Sequence, residues 1–174
     1  MTAIGNNPQT INSQSPLNFR FNLKRAPSLN YFCQSVSLPE VTLPPARAPT
    51  PSINIPFWGD HIVYSPLSVS FKVDSDLQNW LEIFNWMKAL ANKDGDGKTY
   101  SQLQNNDRFL GYGLTSELFM SQNDSQGNPK LVWTFKNAWP TALKKLDFES
   151  TDDTVNYLTA SATFYFEDFG ISPA

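Results

Sequence analysis

Residues 66–90 read PLSVSFKVDSDLQNWLEIFNWMKAL, and the hydrophobic period changes halfway along this segment. From Leu67 to Val73 the apolar residues alternate with Ser and Lys, a period of two that predicts a strand with one buried face. From Leu77 the apolar residues recur every three or four positions, which predicts an amphipathic helix. The residues of the predicted apolar stripe are Leu77, Trp80, Leu81, Phe84 and Met87, broadened by Ile83, Trp86 and Leu90.

Short polar and acidic residues mark the boundary between these two elements. Ser75 is expected to cap the helix N-terminus through its hydroxyl, with Gln78 reaching back from three residues further on, as in a capping box. Asp74 and Asp76 add negative charge where the helix dipole favours it. The apolar stripe is then expected to pack against a sheet, to form part of a subunit interface, or to do both.

The length of the chain, 174 residues, is enough for one domain with a proper core. The predicted organisation is a flexible N-terminal arm over residues 1–15, a single β domain over residues 16–171 and a short tail over residues 172–174. Charged residues make up 17% of the chain, below the roughly 25% of an average soluble protein. Much of the surface is therefore expected to be uncharged, as in proteins that bury surface against other chains.

Charge and cysteine content exclude several classes of protein. The net charge is −3 and the basic residues occur in isolated pairs, whereas a nucleic-acid reader needs clustered Lys and Arg. Cys33 has no partner for an internal disulfide, so folding in a reducing compartment is expected. The sequence contains neither an apolar run of the roughly 18 residues that a membrane span requires nor a signal peptide in residues 1–15. We therefore expect a soluble protein, made in a cytoplasm, with no membrane partner.

Period-two runs separated by turn residues predict two hairpins. Residues 17–23 and 31–38 are expected to form the first hairpin, with residues 24–28 as its turn. Residues 113–121 and 130–136 are expected to form the second, around a polar loop. Both predictions assume that strands adjacent in sequence pair with each other.

The other segments complete a mainly β fold. Prolines interrupt residues 39–56 too densely for a regular ladder, so this segment is expected to be extended, with one short strand near residues 52–57. Residues 137–140 are expected to end the second hairpin, before a strand at 142–149 and a long last strand at 155–169. The expected fold class is an antiparallel β-sandwich or small barrel, of about seven or eight strands, with one flanking α-helix.

Motifs for catalysis or metal binding are weak in this sequence. Asn92 to Gly97 match the opening of an EF-hand calcium loop, but Leu103 occupies the twelfth position, where a bidentate Glu is required. A polar helix exit with Gly95 as a left-handed cap is the preferred interpretation. Cys33 and His61 are the only nucleophile and base combination that involves either residue, and no local motif orients them. We expect no enzymatic activity, no catalytic residue, no metal and no cofactor.

Several short motifs, in their order along the chain, resemble the tail tube proteins of contractile-tailed, T4-like bacteriophages. The longest is FKNAWPTALKKLDF, from Phe135 to Phe148, followed by an acidic turn and a closing aromatic strand rich in Thr. The resemblance spans residues 17–169, and none of its motifs is specific alone. The motifs of the N-terminal half are Phe32-Cys33-Gln34, Ser37-Leu38-Pro39, Trp58-Gly59-Asp60 and the strand from Leu67 to Val73 that leads through Asp74 to Asp76 into the Trp-rich helix.

The resemblance implies a structural virion protein that assembles as hexameric rings, which stack into a tube around a channel for DNA. The type VI secretion tube protein shares this architecture. The partners implied are further copies of the chain, tail sheath, baseplate or neck proteins, and DNA in transient, non-specific passage. A mildly acidic chain with Ser- and Thr-bearing strands is compatible with a wet channel that repels a phosphate backbone. The implied location is the tail of the virion, after assembly in the host cytoplasm.

Other functions remain open at this point. The proline-rich segment and the polar N-terminus depart from the most typical tube subunit, so a tube-like ring that starts the tube at the baseplate or ends it at the neck is an alternative. A monomeric β-sandwich that binds a ligand through Trp58, Trp133 and Trp139 is an alternative of another class. A Cys-His hydrolase is a third, and the variant Cys33→Ser tests it.

The two predicted hairpins are expected to carry the ring and channel contacts. Residues 1–15 and 39–56 are expected to contact stacked rings. The individual residues expected at the subunit interface and channel are Phe19, Phe21, Ser116, Thr134, Trp139, Trp80 and Trp86.

Overall fold

The structure is a computed structural model that describes residues 17–49, 52–91, 101, 113–124, 126–148 and 157–174. The predicted N-terminal arm and the EF-hand-like motif at 92–97 lie outside these residues. The elements of the described part are, in chain order, β1 (Phe19–Leu23), α1 (Pro27–Phe32), β2 (Cys33–Ser37), β3 (Val41–Thr42), β4 (Ala46–Pro49), β5 (Asn54–Phe57), β6 (Val63–Tyr64), β7 (Leu67–Lys72), α2 (Gln78–Leu90), β8 (Ser116–Asn123), β9 (Pro129–Leu143), β10 (Thr159–Tyr165) and β11 (Asp168–Pro173).

The main strands form two antiparallel sheets that share β9. Sheet A has the order β1-β8-β9-β11 and uses the N-terminal half of β9, whereas sheet B has the order β9-β10-β7-β2 and uses its C-terminal half. The apolar side of each alternating strand contributes to one core, because successive side chains of a strand point to opposite faces. Fully buried members of this core include Leu23, Leu67, Phe71, Leu118, Phe135 and Phe164. The expected fold class, mainly antiparallel β with a flanking helix, is confirmed.

A bend in β9 carries this strand from one sheet into the other. Asn137 has a positive φ of 52°, and the register between β8 and β9 shifts beside it, as a β-bulge requires. The strand then continues through Pro140, which faces Phe164 of β10. The predicted break at residues 137–140 and the separate strand at 142–149 are therefore wrong. Among the described residues this half of β9 pairs only with β10, and edge strands of this kind are where Pro occurs within sheets.

The closing strand follows the same bend. β10 pairs with the C-terminal half of β9 and β11 pairs with its N-terminal half, and the two are separated at Phe166 and Glu167. The single strand predicted over residues 155–169, of which residues 157–169 are described, is therefore two strands, and the second extends through Pro173 into the predicted tail. The apolar alternation ends at Phe166, and the consecutive charged residues Glu167 and Asp168 mark the break that the predicted single strand overlooked.

The predicted first hairpin does not form. β1 pairs with β8 and β2 pairs with β7, so the two strands lie in different sheets. The predicted turn contains the start of α1 instead, with Pro27 in its first turn and Leu29 buried. Asn30 fixes α1 to the end of β1, since its side chain accepts a hydrogen bond from Leu23 N at 2.7 Å and donates one to Leu23 O at 3.3 Å.

The strand-to-helix segment is confirmed as β7 followed by α2, but its junction differs from the prediction. The cap position is Leu77, in a left-handed conformation with φ 58°, and no side chain caps the helix. A turn replaces the predicted capping box, because Leu77 N donates to Asp74 O at 3.0 Å. Asn79 is fully buried and donates to Lys72 O at 2.7 Å, which ties the helix to the end of β7.

The buried side of α2 is rotated relative to the predicted stripe. Ile83 and Trp86 are buried, and Trp86 Nε1 donates to Leu114 O at 3.0 Å. Phe84, which the pattern placed in the centre of the stripe, is 39% exposed. The apolar residues cover too wide an arc for periodicity alone to locate the side that faces the core.

Residues 39–49 and 52–64 form a projection that we call the arm. It continues the β2–β7 hairpin through two short ladders, β3 with β6 and β4 with β5. The predicted short strand near residues 52–57 is confirmed as β5, whereas the prediction that no ladder survives the prolines is wrong. The prolines interrupt one long hairpin and divide it into short paired pieces.

Candidate assembly surface

The outward side of sheet B is covered with hydroxyl groups, and we call it the hydroxyl face. It arises from the alternation in β7 and β10, whose apolar residues enter the core and whose intervening residues point outward. The strands align in register, so that Ser37 lies beside Ser68 and Ser35 lies beside Ser70. The members of the hydroxyl face are Ser35, Ser37, Ser68, Ser70, Thr159, Ser161 and Thr163.

Charged groups are confined to one end of the hydroxyl face. Lys72 lies over the ring of Tyr157, with Nζ 4.3 Å from the centroid. A cavity of about 340 Å³ lies beside Ser70 and Ser161, and Lys144 and the ion-paired Lys145 and Asp147 line its other side. The opposite end of the face, at Ser37, Ser68 and Thr163, is polar and uncharged.

Both edges of sheet B are unpaired among the described residues. β2 pairs only with β7 there, and residues 139–143 of β9 pair only with β10. Each edge presents a row of backbone N–H and C=O groups that can accept another strand. In this sheet order β2 and β9 run antiparallel to each other. The β2 edge of one copy can therefore form an antiparallel pair with the β9 edge of another copy.

The arm exposes most of its large apolar side chains. Trp58 is 84% exposed, and the side chains of β4 and β5 lie at the surface or are only half-buried. Exposed apolar clusters of this kind usually mark contacts with other molecules. The other exposed apolar residues of the arm are Val41, Leu43, Ile53, Ile55, Phe57, Ile62 and Val63.

A second cavity, of about 380 Å³, separates the edges of β1 and β2, where the two sheets approach each other without pairing. Phe19, Val36, Met120 and Trp133 give it a mainly apolar lining. The subunit is therefore open along one side between sheet A and sheet B.

The seven residues predicted at the interface and channel lie in separate places. Phe19 lines the cavity between β1 and β2, Thr134 is half-buried on the outward side of sheet A, and Trp139 stacks on Tyr165 at 6.3 Å on the edge half of β9. Trp80 is half-buried and stacks on Phe84 with ring centroids 5.1 Å apart. The remaining three, Phe21, Ser116 and Trp86, are buried within the subunit.

Sequence reasoning did not name the hydroxyl face as a unit or identify its bare edges. The alternation of Ser and Thr in β7 and β10 was visible, but the register that aligns the three strands of the hydroxyl face depends on pairing between residues far apart in the sequence. Thr134, by contrast, lies outside sheet B, although the pattern grouped it with channel residues.

Cys33 and His61 do not resemble a catalytic pair. Burial raises the pKa of the Cys33 thiol to about 11, which disfavours the thiolate that a nucleophile requires. His61 lies on the exposed arm, with Nδ1 2.6 Å from the Asp60 carboxylate. In the described residues, acidic, His and Cys side chains do not cluster in a way that would hold a metal. Neither of the two described helices has the length and apolar character needed to cross a membrane.

The described residues combine two sheet edges that pair with no further strand there, a face rich in hydroxyl groups and an exposed apolar arm, which are features of a subunit that associates with other protein chains. Comparison with known families makes this more specific, because the model of the phage tail tube protein family matches residues 4–172. The chain therefore belongs to the phage tail tube protein family.

Individual relatives agree with this assignment. The chain is 25% identical to the tail tube terminator protein of Enterobacteria phage T4, over 94% of this chain and 91% of the relative. The fold is similar to that of a chain from the anti-feeding prophage tube-terminating cap, with a TM-score of 0.61, 14% identity and full coverage of both chains. A chain from the sheath/tube terminator of the PVC extracellular contractile injection system also has a TM-score of 0.61, with 13% identity and coverage of 94% and 99%.

Proposed function

We propose that this chain is a structural virion protein whose copies form six-membered rings of a bacteriophage tail tube and line its DNA channel. Membership of the tail tube family supports a structural role. Sheet B carries the proposal, since it combines a face rich in hydroxyl groups with two edges of opposite direction that are unpaired in the described part of the chain. The chain is assembled in the host cytoplasm and acts in the tail of the virion.

The ring closes through sheet B. β2 of one copy pairs with residues 139–143 of the next copy, and the same contact repeats head to tail, which gives a ring when the rotation closes. Strand addition satisfies the backbone groups that each edge exposes. Six copies contribute four strands each, which exceeds the roughly 16–18 strands that enclose an aqueous channel in porins.

The hydroxyl face lines the channel in this arrangement. Ser and Thr hydroxyls hydrogen-bond water and bear no charge. A wall of this kind attracts phosphate groups less than clustered Lys or Arg would. The channel therefore stays hydrated while DNA passes without being held.

The arm contacts a stacked ring. It continues the β2–β7 hairpin of sheet B, so it projects beyond the wall of the ring. Burial of its apolar side chains against a second ring removes them from water, at about 25 cal/mol per Å² of apolar surface. Residues 1–15 are proposed to take part in the same contact.

We assign the ring to the end of the tube rather than to its repeating part. The T4 relative, named a tail tube terminator, supports this position through alignment over nearly the whole chain. Sheath or neck proteins are then its other partners. A repeating subunit, or an initiator at the baseplate, is the alternative within the family.

A monomeric ligand-binding module has less support. Trp133 is buried, Trp139 is half-buried and Trp58 lies on the arm, so the three rings proposed as stacking platforms are dispersed over the subunit. A binding module would stay monomeric at every concentration.

Two matched variants of β9 test the ring contact. Thr141→Glu places a charge on the exposed edge half, whereas Thr134→Glu places the same charge on sheet A. We expect the first variant to prevent ring formation and the second to retain it, as observed by negative-stain electron microscopy of the purified proteins. Rings that survive Thr141→Glu but not Thr134→Glu would overturn the assignment to sheet B and favour the second hairpin.

A further inference from the structure

Tyr64, at the root of the arm, is part of an aromatic cluster on the body of the subunit. Its ring meets Phe169 edge to face at 5.2 Å and Phe166 at 5.7 Å, measured between centroids. Phe135 completes the cluster, 5.0 Å from Phe166 and 5.4 Å from Phe169. Aromatic pairs in such geometries contribute about 0.5–1.5 kcal/mol each beyond the area they bury. The cluster thus connects β6, in the arm, to β9 and to the chain that enters β11.

A hydrogen bond orients the same ring. The Tyr64 hydroxyl donates to Asp168 Oδ1 at 3.3 Å. Burial, together with the Asp168 carboxylate, raises the pKa of Tyr64 above its ordinary value, so the phenol remains a hydrogen-bond donor well above neutral pH. The ring is therefore held both by its faces and by its polar end.

The two strands of the arm are joined to each other at the same level. Ser65 N donates to Glu40 O at 3.0 Å, and Glu40 N donates to Ser65 Oγ at 2.6 Å. The arm consequently leaves the body as a paired unit rather than as two independent strands. A rotation of Tyr64 relative to the cluster would move the whole unit.

Beyond its root, the arm exposes its large side chains instead of packing them into the core. Small changes of angle at the root therefore become large displacements at β4 and β5. A contact with a stacked ring requires β4 and β5 to arrive at one place in every copy, so the root is the point where this geometry has to be fixed.

We propose that Tyr64 is a positioning residue that sets the angle of the arm through Phe166, Phe169 and Asp168. The consequence for ring stacking rests on the proposed function, whereas the anchoring itself does not. Tyr64 acts through the arm and makes no contact of its own with a neighbouring subunit.

Electron spin resonance distances test the anchoring directly. Spin labels at Ile55→Cys in the arm and Asn85→Cys on the exposed side of α2, in a Cys33→Ser background, report the angle of the arm. Labelled protein is diluted into an excess of unlabelled protein so that only distances within one subunit are measured. We expect a single narrow distance distribution, which Tyr64→Ala broadens at least twofold and Tyr64→Phe leaves narrow because the ring contacts persist.

The possible outcomes distinguish the anchoring role of Tyr64 from the proposed assembly of subunits into rings. A distribution that stays narrow in Tyr64→Ala overturns the inference, whatever the state of assembly. Phe169→Leu provides a second variant in case Tyr64→Ala does not fold, and it should also broaden the distribution. If the distances behave as expected but neither rings nor stacks form, the anchor stands and the proposed function fails. Where rings form, Tyr64→Ala should reduce stacking and leave single rings intact.

Discussion

Asn79 illustrates how much depends on one side chain at the junction between β7 and α2. It is fully buried, donates to Lys72 O and lies 3.4 Å from Asp74 N, so it satisfies backbone groups that neither the strand nor the helix reaches. Buried backbone groups without a partner are rare because the loss of their hydration is costly. The side chain therefore stabilises the junction at which a capping box of Ser75 and Gln78 was predicted.

Replacing this residue should destabilise the whole fold. Asn79→Ala leaves the Lys72 carbonyl unpaired in a buried site, and we expect a loss of about 1–3 kcal/mol in the free energy of unfolding. Asn85→Ala, an exposed substitution of the same type on the same helix, should change it by less than about 0.5 kcal/mol. Urea unfolding of both variants measures the difference, and equal values would contradict the structural role.

Asp124 gives the β8–β9 hairpin a predictable pH dependence. Its carboxylate accepts hydrogen bonds from Asn128 N at 2.9 Å and Gln126 N at 2.8 Å, and these bonds lower the pKa of Asp124, that from Asn128 most. A lowered folded-state pKa means that the stabilisation is complete above the unfolded value of about 3.9 and is lost as the pH falls below it. The difference in melting temperature between wild type and Asp124→Asn should therefore be present at pH 7 and shrink towards pH 2, while a constant difference would refute this account.

At the scale of elements, the arm depends on a close approach between its two chains. A Cβ atom added to Gly59 would clash with the backbone carbonyl oxygen of Pro44, because the two atoms would be much closer than van der Waals contact allows, whereas one added to Gly170 of β11 would meet no atom within 4 Å. The arm can keep its present path at this point only if residue 59 has no side chain.

Alanine substitutions at these two glycines form a matched pair. Gly59→Ala should displace the arm and weaken stacking between rings, with little change in the melting temperature of the body. Gly170→Ala should leave both properties unchanged. Sedimentation of assembled protein separates stacked rings from single ones, and unchanged stacking in Gly59→Ala would argue against a role for the arm.

Local sequence patterns identify the elements of this fold but not their pairing partners. The periods in residues 66–90 correctly predicted β7 and α2, and the turn residues correctly predicted the β8–β9 hairpin. The partners of β1 and β2 were missed, because β8 and β7 lie far from them in the sequence. The bend at Asn137 was read as a break, since the residues that end a strand also occur in bulges.

The same limit applied to the candidate site. The Ser and Thr residues of β7 and β10 were visible as the polar half of an alternation, yet the surface that they form with β2 appears only when the register is known. The arm was recognised as proline-rich and extended, but its aromatic root was not, because Tyr64 meets Phe166 and Phe169 through the fold alone.

For the whole molecule, composition and architecture lead to one interpretation. Few of the charged residues lie on the hydroxyl face or on the arm, the two surfaces that the proposed assembly encloses or buries. A monomer with bare edges and an apolar arm would be prone to uncontrolled association. Closure into a ring would pair the bare edges, and contact with one stacked ring would cover the apolar arm.

Negative-stain electron microscopy of the purified wild-type chain over a concentration series tests this interpretation most directly. We expect closed rings with sixfold symmetry and a central channel, which become more numerous as the concentration rises. Isolated rings would support the position at the end of the tube, and long tubes would favour a repeating subunit. A chain that remains monomeric at every concentration would contradict ring formation through sheet B.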